Sequence, residues 1–142
     1  MRQAPGLAVL GSLAIVAVQG GCVKVLIADD DRLIRAYLGD LLRERGHTVV
    51  EASDGQAAVD TCAKEKPDLV LLDLLMPKLN GFDAMHKIRA EKHGAKVALL
   101  TALSDSMVER LGNRAEPDAY LEKPFKPADL DAVLKRLLPN TQ

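Results

Sequence analysis

Five short aliphatic runs recur along the chain, and an amphipathic segment follows each of them. The runs are KVLIA (24–28), HTVVEA (47–52), DLVLLD (68–73), KVALLT (96–101) and AYLE (119–122). Runs of this length, rich in Val, Leu and Ile, read as strands buried on both faces. The segments between them have helical spacing instead. Arg32 to Arg45 repeats Leu33, Tyr37, Leu38, Leu41 and Leu42 at that spacing, and Asp54 to Lys64 is a second such segment. Gly81 to Lys92 carries Phe82, Met85 and Ile88, while Asp105 to Leu111 is short and polar. Pro127 to Leu138 sets Leu130, Val133, Leu134 and Leu137 on one stripe.

Turn and cap residues fall where this alternation needs them. Gly46 follows the basic turn Arg43-Glu44-Arg45 and can take a positive φ. Pro67 blocks any extension of the second helix, and Pro127 suits the first turn of the last. Asp54 is placed to cap the second helix, and Asp31 to cap the first. Gly81, after Asn80, is expected to serve the turn before the third. A βα unit repeated five times predicts an α/β fold: a parallel, doubly wound sheet covered by helices on both faces. At 142 residues the chain suits one domain, expected over 23–142, with no output domain after the last helix.

The first 22 residues stand apart from this pattern. MRQAPGLAVLGSLAIVAVQGGC has one Arg and no acidic residue, and its apolar part, Leu7 to Val18, is too short to span a bilayer. Three readings stay open. Val23 can be the true start, from a GTG codon; the segment can be an export or lipid-anchoring signal ending at Cys22; or it can be an extra element packed on the domain. The net charge of −1 gives no electrostatic footprint for nucleic acid or a membrane surface. With two Phe, two Tyr and no Trp, the core must be aliphatic and base stacking has no platform. Cys22 and Cys62 make no disulfide framework, and Cys62 reads as a small buried hydrophobe. His47, His86 and His93 lack metal-ligand spacing and read as packing or surface residues.

In an open parallel sheet, ligands bind beyond the carboxyl ends of the strands. The first strand leads there to Asp29, Asp30 and Asp31, the third ends at Asp73, the fourth at Thr101, and the fifth leads to Lys123; the second shows no obvious chemistry. Two carboxylates about 4 Å apart repel by about 1 kcal/mol in water and about 4 at an effective dielectric of 20. A hard divalent cation such as Mg²⁺, bound by oxygen ligands, turns that repulsion into attraction. Asp73 would then be a nucleophilic carboxylate beside a cation, with Thr101 and Lys123 placed to hold phosphoryl oxygens.

The motifs IADDD, LLDLLMPKLNG, LLTA and YLEKPF, in this order and spacing, resemble the receiver domain of bacterial two-component response regulators over Val23 to about Leu138. The resemblance implies a flavodoxin-like sheet of order 2-1-3-4-5. It implies Mg²⁺, or Mn²⁺ in its place, held by Asp30, through water by Asp29, by Asp73 and by the main-chain carbonyl of Leu75. Asp73 matches the phosphoacceptor, Thr101 the switch hydroxyl, Lys123 the phosphate-binding lysine and Tyr120 the aromatic that rotates inward on activation. Lys123-Pro124 matches a peptide bond that is cis in the family. The implied donor is a sensor histidine kinase or a small acyl phosphate. The implied output is an unknown protein bound at the face of the fourth helix, fifth strand and fifth helix. The expected protein is cytoplasmic, a monomer or weak dimer, with no direct nucleic-acid contact and no membrane contact unless residues 1–22 supply it. It catalyses its own phosphorylation and dephosphorylation and is not a metabolic enzyme.

Two departures from the family pattern bear on function. Leu75 and Leu103 are apolar where the family's side chains flank the phosphoryl group and influence its hydrolysis, so a long-lived phosphoryl group is expected. Arg114-Ala115-Glu116-Pro117-Asp118 replaces a small glycine-containing turn and leaves partner identity open. Three rival functions remain. One is a relay to a histidine phosphotransfer protein. Another is a Mg²⁺-dependent phosphatase using the Asp29-x-Asp31 spacing. The third is a receiver fragment of a larger transcriptional regulator.

Overall fold

The third aliphatic run carries the middle of the sheet, and it is buried at all five of its positions, Leu69–Asp73. The structure, a computed structural model, describes residues 23–91, 94–102 and 117–138. Its strands are β1 (Lys24–Ala28), β2 (Thr48–Ala52), β3 (Leu69–Asp73), β4 (Lys96–Thr101) and β5 (Ala119–Glu122). Its described helices are α1 (Arg32–Glu44), α2 (Gly55–Glu65), α3 (Gly81–Ala90) and α4 (Pro127–Leu137). The strands form one sheet of order β2-β1-β3-β4-β5, with every neighbouring pair parallel.

Alternation along each strand divides the core into two layers. Val25, Ile27, Leu69, Leu71, Ala98 and Leu100 face α1 and α4, where Leu38, Leu42, Leu130 and Leu134 meet them. Leu26, Val70, Leu72, Val97 and Leu99 face α2 and α3, against Val59, Cys62, Met85 and Ile88. Each buried Leu or Ile stabilises the fold by roughly 1.5–3 kcal/mol. The layers explain why the runs of β1, β3 and β4 are apolar almost throughout, whereas the edge strands β2 and β5 carry exposed Thr48, Glu51, Tyr120 and Glu122. Cys62 is fully buried, and that burial pushes its thiol up to about 11, as expected of an inert core residue.

The element ends follow side-chain chemistry closely. Asp31 accepts from the Leu33 N–H at 2.9 Å, Asp54 from Ala57 at 2.7 Å and Asn80 from Asp83 at 2.9 Å. Gly46 takes φ 85° and Pro127 opens α4, both as expected. Differences from the sequence expectation amount to a residue or two. Strand β2 starts at Thr48 because the His47 N–H is drawn back to the Leu42 carbonyl while its Nδ1 accepts from the Val23 N–H. Strand β3 starts at Leu69; Asp68, just before it, donates its N–H to the Lys24 carbonyl, accepts from the Lys24 N–H through its carboxylate and accepts from the Lys96 N–H through its carbonyl. Helix α3 ends at Ala90; Lys92 and the helix expected over 105–111 lie outside the described residues, as do residues 1–22.

Two glycines do something other than relax a turn. Gly81 is the first residue of α3 rather than part of the turn before it, and a Cβ there would lie 2.7 Å from the Asp73 carbonyl oxygen and the Leu74 Cα. Gly55 lets α2 start against the loop after β3; a Cβ there would lie 1.9 Å from the Leu79 carbonyl oxygen. Lys66 ends α2 in the left-handed region, at φ 49°. Opposite stability changes follow at these positions. Gly55→Ala is expected to destabilise by about 1–3 kcal/mol through overpacking. Lys66→Gly is expected to stabilise by about 0.5–1 kcal/mol, strain relief outweighing added chain entropy. Urea melts of the two variants check both signs.

Candidate phosphoacceptor and metal site

Strand register gathers the charged residues at one edge of the sheet. Asp73 ends β3 opposite Leu100, next to Thr101 at the end of β4. Thr101 pairs with Glu122, and the Lys123 N–H donates to the Thr101 carbonyl at 2.7 Å, which brings Lys123 to the same edge. Asp29 follows β1, the other neighbour of β3, and its N–H donates to the Ala52 carbonyl at 3.2 Å. The Gly81 N–H donates to the Leu74 carbonyl at 2.7 Å, which ties the start of α3 to the residue after Asp73.

The side chains converge as well. Carboxylate oxygens of Asp29, Asp30 and Asp73 all lie within 4.8 Å of one another. The Lys123 Nζ donates to Asp29 Oδ2 at 3.0 Å and to Asp73 Oδ1 at 3.2 Å. Asp29 is fully buried, Asp73 is 7% exposed and Thr101 4%. Asp30 is exposed, and so is the side chain of Leu75. Asp31 caps α1 and stands outside the carboxylate cluster. The Lys123-Pro124 peptide bond is cis. Tyr120 points away from the buried face carried by Ala119 and Leu121; with Glu122, Pro124 and Val133 it lines a cleft of about 450 Å³ between β5 and α4. Leu103 and residues 114–116 lie outside the described residues.

The electrostatics are those of an under-neutralised anionic site. Burial, then the charge of Asp29, push the Asp73 carboxyl up to about 6, although Lys123 pulls it down. Burial works against the Lys123 ammonium, yet its hydrogen bond to Asp29 and the Asp73 charge hold its pKa above the ordinary value. One ammonium faces three carboxylates, so the donor set suits a hard divalent cation with oxygen ligands. The set is all oxygen, without thiolate or imidazole, which disfavours a zinc or copper assignment.

Two contributions at this edge were not legible as chemistry in the sequence. Glu51, in the strand that showed none, accepts from the Arg35 guanidinium at 2.9 Å, and Arg35 reaches the Asp29 carbonyl at 2.6 Å. Nothing in the spacing of either residue marks the contact; an arginine one turn into a helix that starts at an acidic pair was the available signal.

The raised Asp73 pKa fixes a sign for stability against pH. The folded protein prefers the protonated acid, so without metal it loses stability as pH rises from about 4 to about 6. At pH 7, in chelator, Asp73→Asn is expected to be more stable than wild type by on the order of 2–3 kcal/mol. The gap should close near pH 4, which thermal melts at the two pH values will show.

Comparison with known proteins agrees with this geometry. The response regulator receiver domain family matches residues 25–135. The transcriptional regulatory protein PdtaR of Mycobacterium tuberculosis is 45% identical over 108 residues, covering 75% of this chain and 52% of that protein. The alkaline phosphatase synthesis transcriptional regulatory protein PhoP of Bacillus subtilis is 36% identical over 115 residues, covering 81% of this chain and 48% of its own length. The chain thus spans about half the length of these curated relatives. Among solved structures, the chemotaxis protein CheY4 of Vibrio cholerae aligns with a TM-score of 0.77 at 28% identity, over 83% of this chain and 100% of that one. The receiver domain of a Pseudomonas aeruginosa sensor histidine kinase, with a magnesium ion coordinated in its active site cleft, aligns with a TM-score of 0.77 at 29% identity, over 84% and 99%. A family match across residues 25–135, with relatives 45% and 36% identical over most of the chain and a sheet of order β2-β1-β3-β4-β5, places this chain in the response regulator receiver domain family.

Proposed function

We propose that the chain is the phosphoacceptor of a two-component system and that Asp73 carries the phosphoryl group. The observation that carries this is the Lys123 ammonium bridging Asp29 and Asp73 within a cluster of three carboxylates. The family takes phosphoryl groups from histidine kinases; a kinase phosphohistidine or a small acyl phosphate is the donor here. An Asp73 oxygen attacks phosphorus in line, the O–P bond forms, and the bond to the donor nitrogen or carboxylate oxygen breaks. Asp29, Asp30, Asp73 and the Leu75 carbonyl would hold Mg²⁺, or Mn²⁺ in its place. A bound divalent ion supplies positive charge against the phosphoryl oxygens. Lys123 holds one phosphoryl oxygen by charge, and the Thr101 hydroxyl donates to another. The transfer is self-catalysed, and no metabolic substrate is turned over.

Output follows from the same residues. Thr101, buried at the end of β4, moves toward the modified Asp73, and Tyr120, now 42% exposed, moves inward. The face that includes β5 and α4 then changes its affinity for a partner, a population shift between two arrangements. A cytoplasmic location fits a kinase donor, and no described helix is long and apolar enough to cross a membrane. A second reading has support of its own: longer curated relatives, of which the match covers about half, are named transcriptional regulators, so the domain also fits as the receiver part of such a regulator.

Incubation with acetyl phosphate and Mg²⁺, followed by intact mass, tests the assignment. Wild type should gain one base-labile phosphoryl group and Asp73→Asn none; equal labelling of both removes Asp73 as acceptor. The exposed Leu75 side chain offers no hydrogen bond to an attacking water. Leu75→Asn should therefore hasten loss of the label several-fold, and an unchanged decay would show that this position does not set the lifetime.

A further inference from the structure

Arg35 plays no part in the chemistry above, yet it is held against the acidic pair. Its Nη1 donates to the main-chain carbonyl of Asp29 at 2.6 Å, and its Nε donates to Glu51 Oε1 at 2.9 Å. The arginine side chain is only 14% exposed. The other Glu51 oxygen lies 3.8 Å from Arg43 Nη2. The guanidinium therefore spans from Asp29, just after β1, to Glu51 near the end of β2, two strands paired through Ile27 with Glu51 and Ala28 with Ala52.

The Asp29 carbonyl belongs to the peptide unit that joins Asp29 to Asp30. A peptide unit is planar, so fixing its oxygen fixes the plane from which the Asp30 side chain departs. The remaining polar groups of Asp29 are also engaged: its N–H by Ala52, Oδ1 by the Asp31 N–H at 2.9 Å and Oδ2 by Lys123 at 3.0 Å. Asp30 is exposed and gains little orientation from packing. The backbone beneath it must supply that orientation, and Arg35 holds that backbone. A planar fork suits a two-point grip, which an ammonium does not reproduce. Glu51 offsets the Arg35 charge, so the pair acts on geometry more than on the field at the carboxylates.

We propose that Arg35, anchored by Glu51, is a positioning residue for the divalent cation site, holding the Asp29–Asp30 peptide so that both carboxylates face one ion. This rests on the receiver reading above. Outer partners of metal ligands commonly change affinity by roughly tenfold or more when lost.

Calorimetric titration with Mg²⁺ tests it on wild type, Arg35→Gln/Glu51→Gln and Arg35→Lys, with metal-free melts alongside. The double variant is charge-neutral overall, so charge alone predicts unchanged Mg²⁺ affinity, whereas positioning predicts a loss of about tenfold. The proposal stands if the double variant binds more weakly and falls if it binds as wild type does. A lower melting temperature with unchanged affinity makes the pair purely structural and also overturns it. Should the double variant not fold, Arg35→Lys decides by the same criterion, since it keeps the charge and loses the fork. Wild type that takes up neither Mg²⁺ nor phosphoryl label overturns the receiver reading and this proposal with it. Wild type that does both, beside variants of equal affinity, leaves that reading intact and removes only the role of Arg35.

Discussion

One ammonium between two carboxylates sets the terms for this fold. Lys123 donates to a fully buried Asp29 and a nearly buried Asp73, so it offsets repulsion that water cannot screen there. Its placement depends on the far edge of the sheet. Strand β5 must pair in register with β4, and Lys123 must bond through its own N–H to Thr101, before Nζ can reach across to β3 and to the residue after β1. The long-range contact at the rim thus requires most of the sheet to be assembled. Stability and site are consequently coupled: the aliphatic layers hold charges together that would otherwise separate, and the raised Asp73 pKa records the remaining cost.

Burial grades the three carboxylates by environment. Asp29 sits in the interior, Asp73 near it, and Asp30 in solvent. A group fixed by hydrogen bonds at every polar atom makes a rigid reference, while an exposed one can exchange water for a ligand at little desolvation cost. The loop after β3 is fixed in a comparable manner. Gly81 brings the start of α3 against the Asp73 carbonyl, and Gly55 brings the start of α2 against Leu79. Both ends of the segment carrying Leu75 are therefore held by backbone contacts, with the exposed Leu75 side chain between them.

The described strands and helices were legible because the apolar runs and caps agree at every level: local pattern, turn chemistry and burial. Asp31, Asp54, Gly46 and Pro127 each do what their position suggests. The convergence of Asp29, Asp73, Thr101 and Lys123 was legible too, since parallel strands end on one edge. What stayed hidden involves contacts with no local signature. Arg35 and Glu51 look like a helix surface and a strand rim until β1 and β2 are placed side by side. Gly81 reads as a turn residue because sequence cannot show that a backbone carbonyl fills the space of its missing side chain. Lys66 and Lys78 adopt positive φ where propensity alone would place Gly or Asn.

Under the proposed reading, this arrangement also locates the source of a switch. Before modification, Lys123 is committed to two carboxylates that lie on different strands' ends. A phosphoryl group on Asp73 replaces the single carboxylate charge by up to two negative charges and presents three acceptor oxygens at the same point. Lys123 and Thr101 then have stronger partners than before, and both belong to the β4–β5 side of the sheet. Asp29 is tied to the opposite side, through Ala52 and Arg35. The new charge therefore pulls on β4 and β5 while β1 and β2 stay anchored. Any rearrangement is directed toward the edge that carries Tyr120, whose side chain is 42% exposed and lies outside the core.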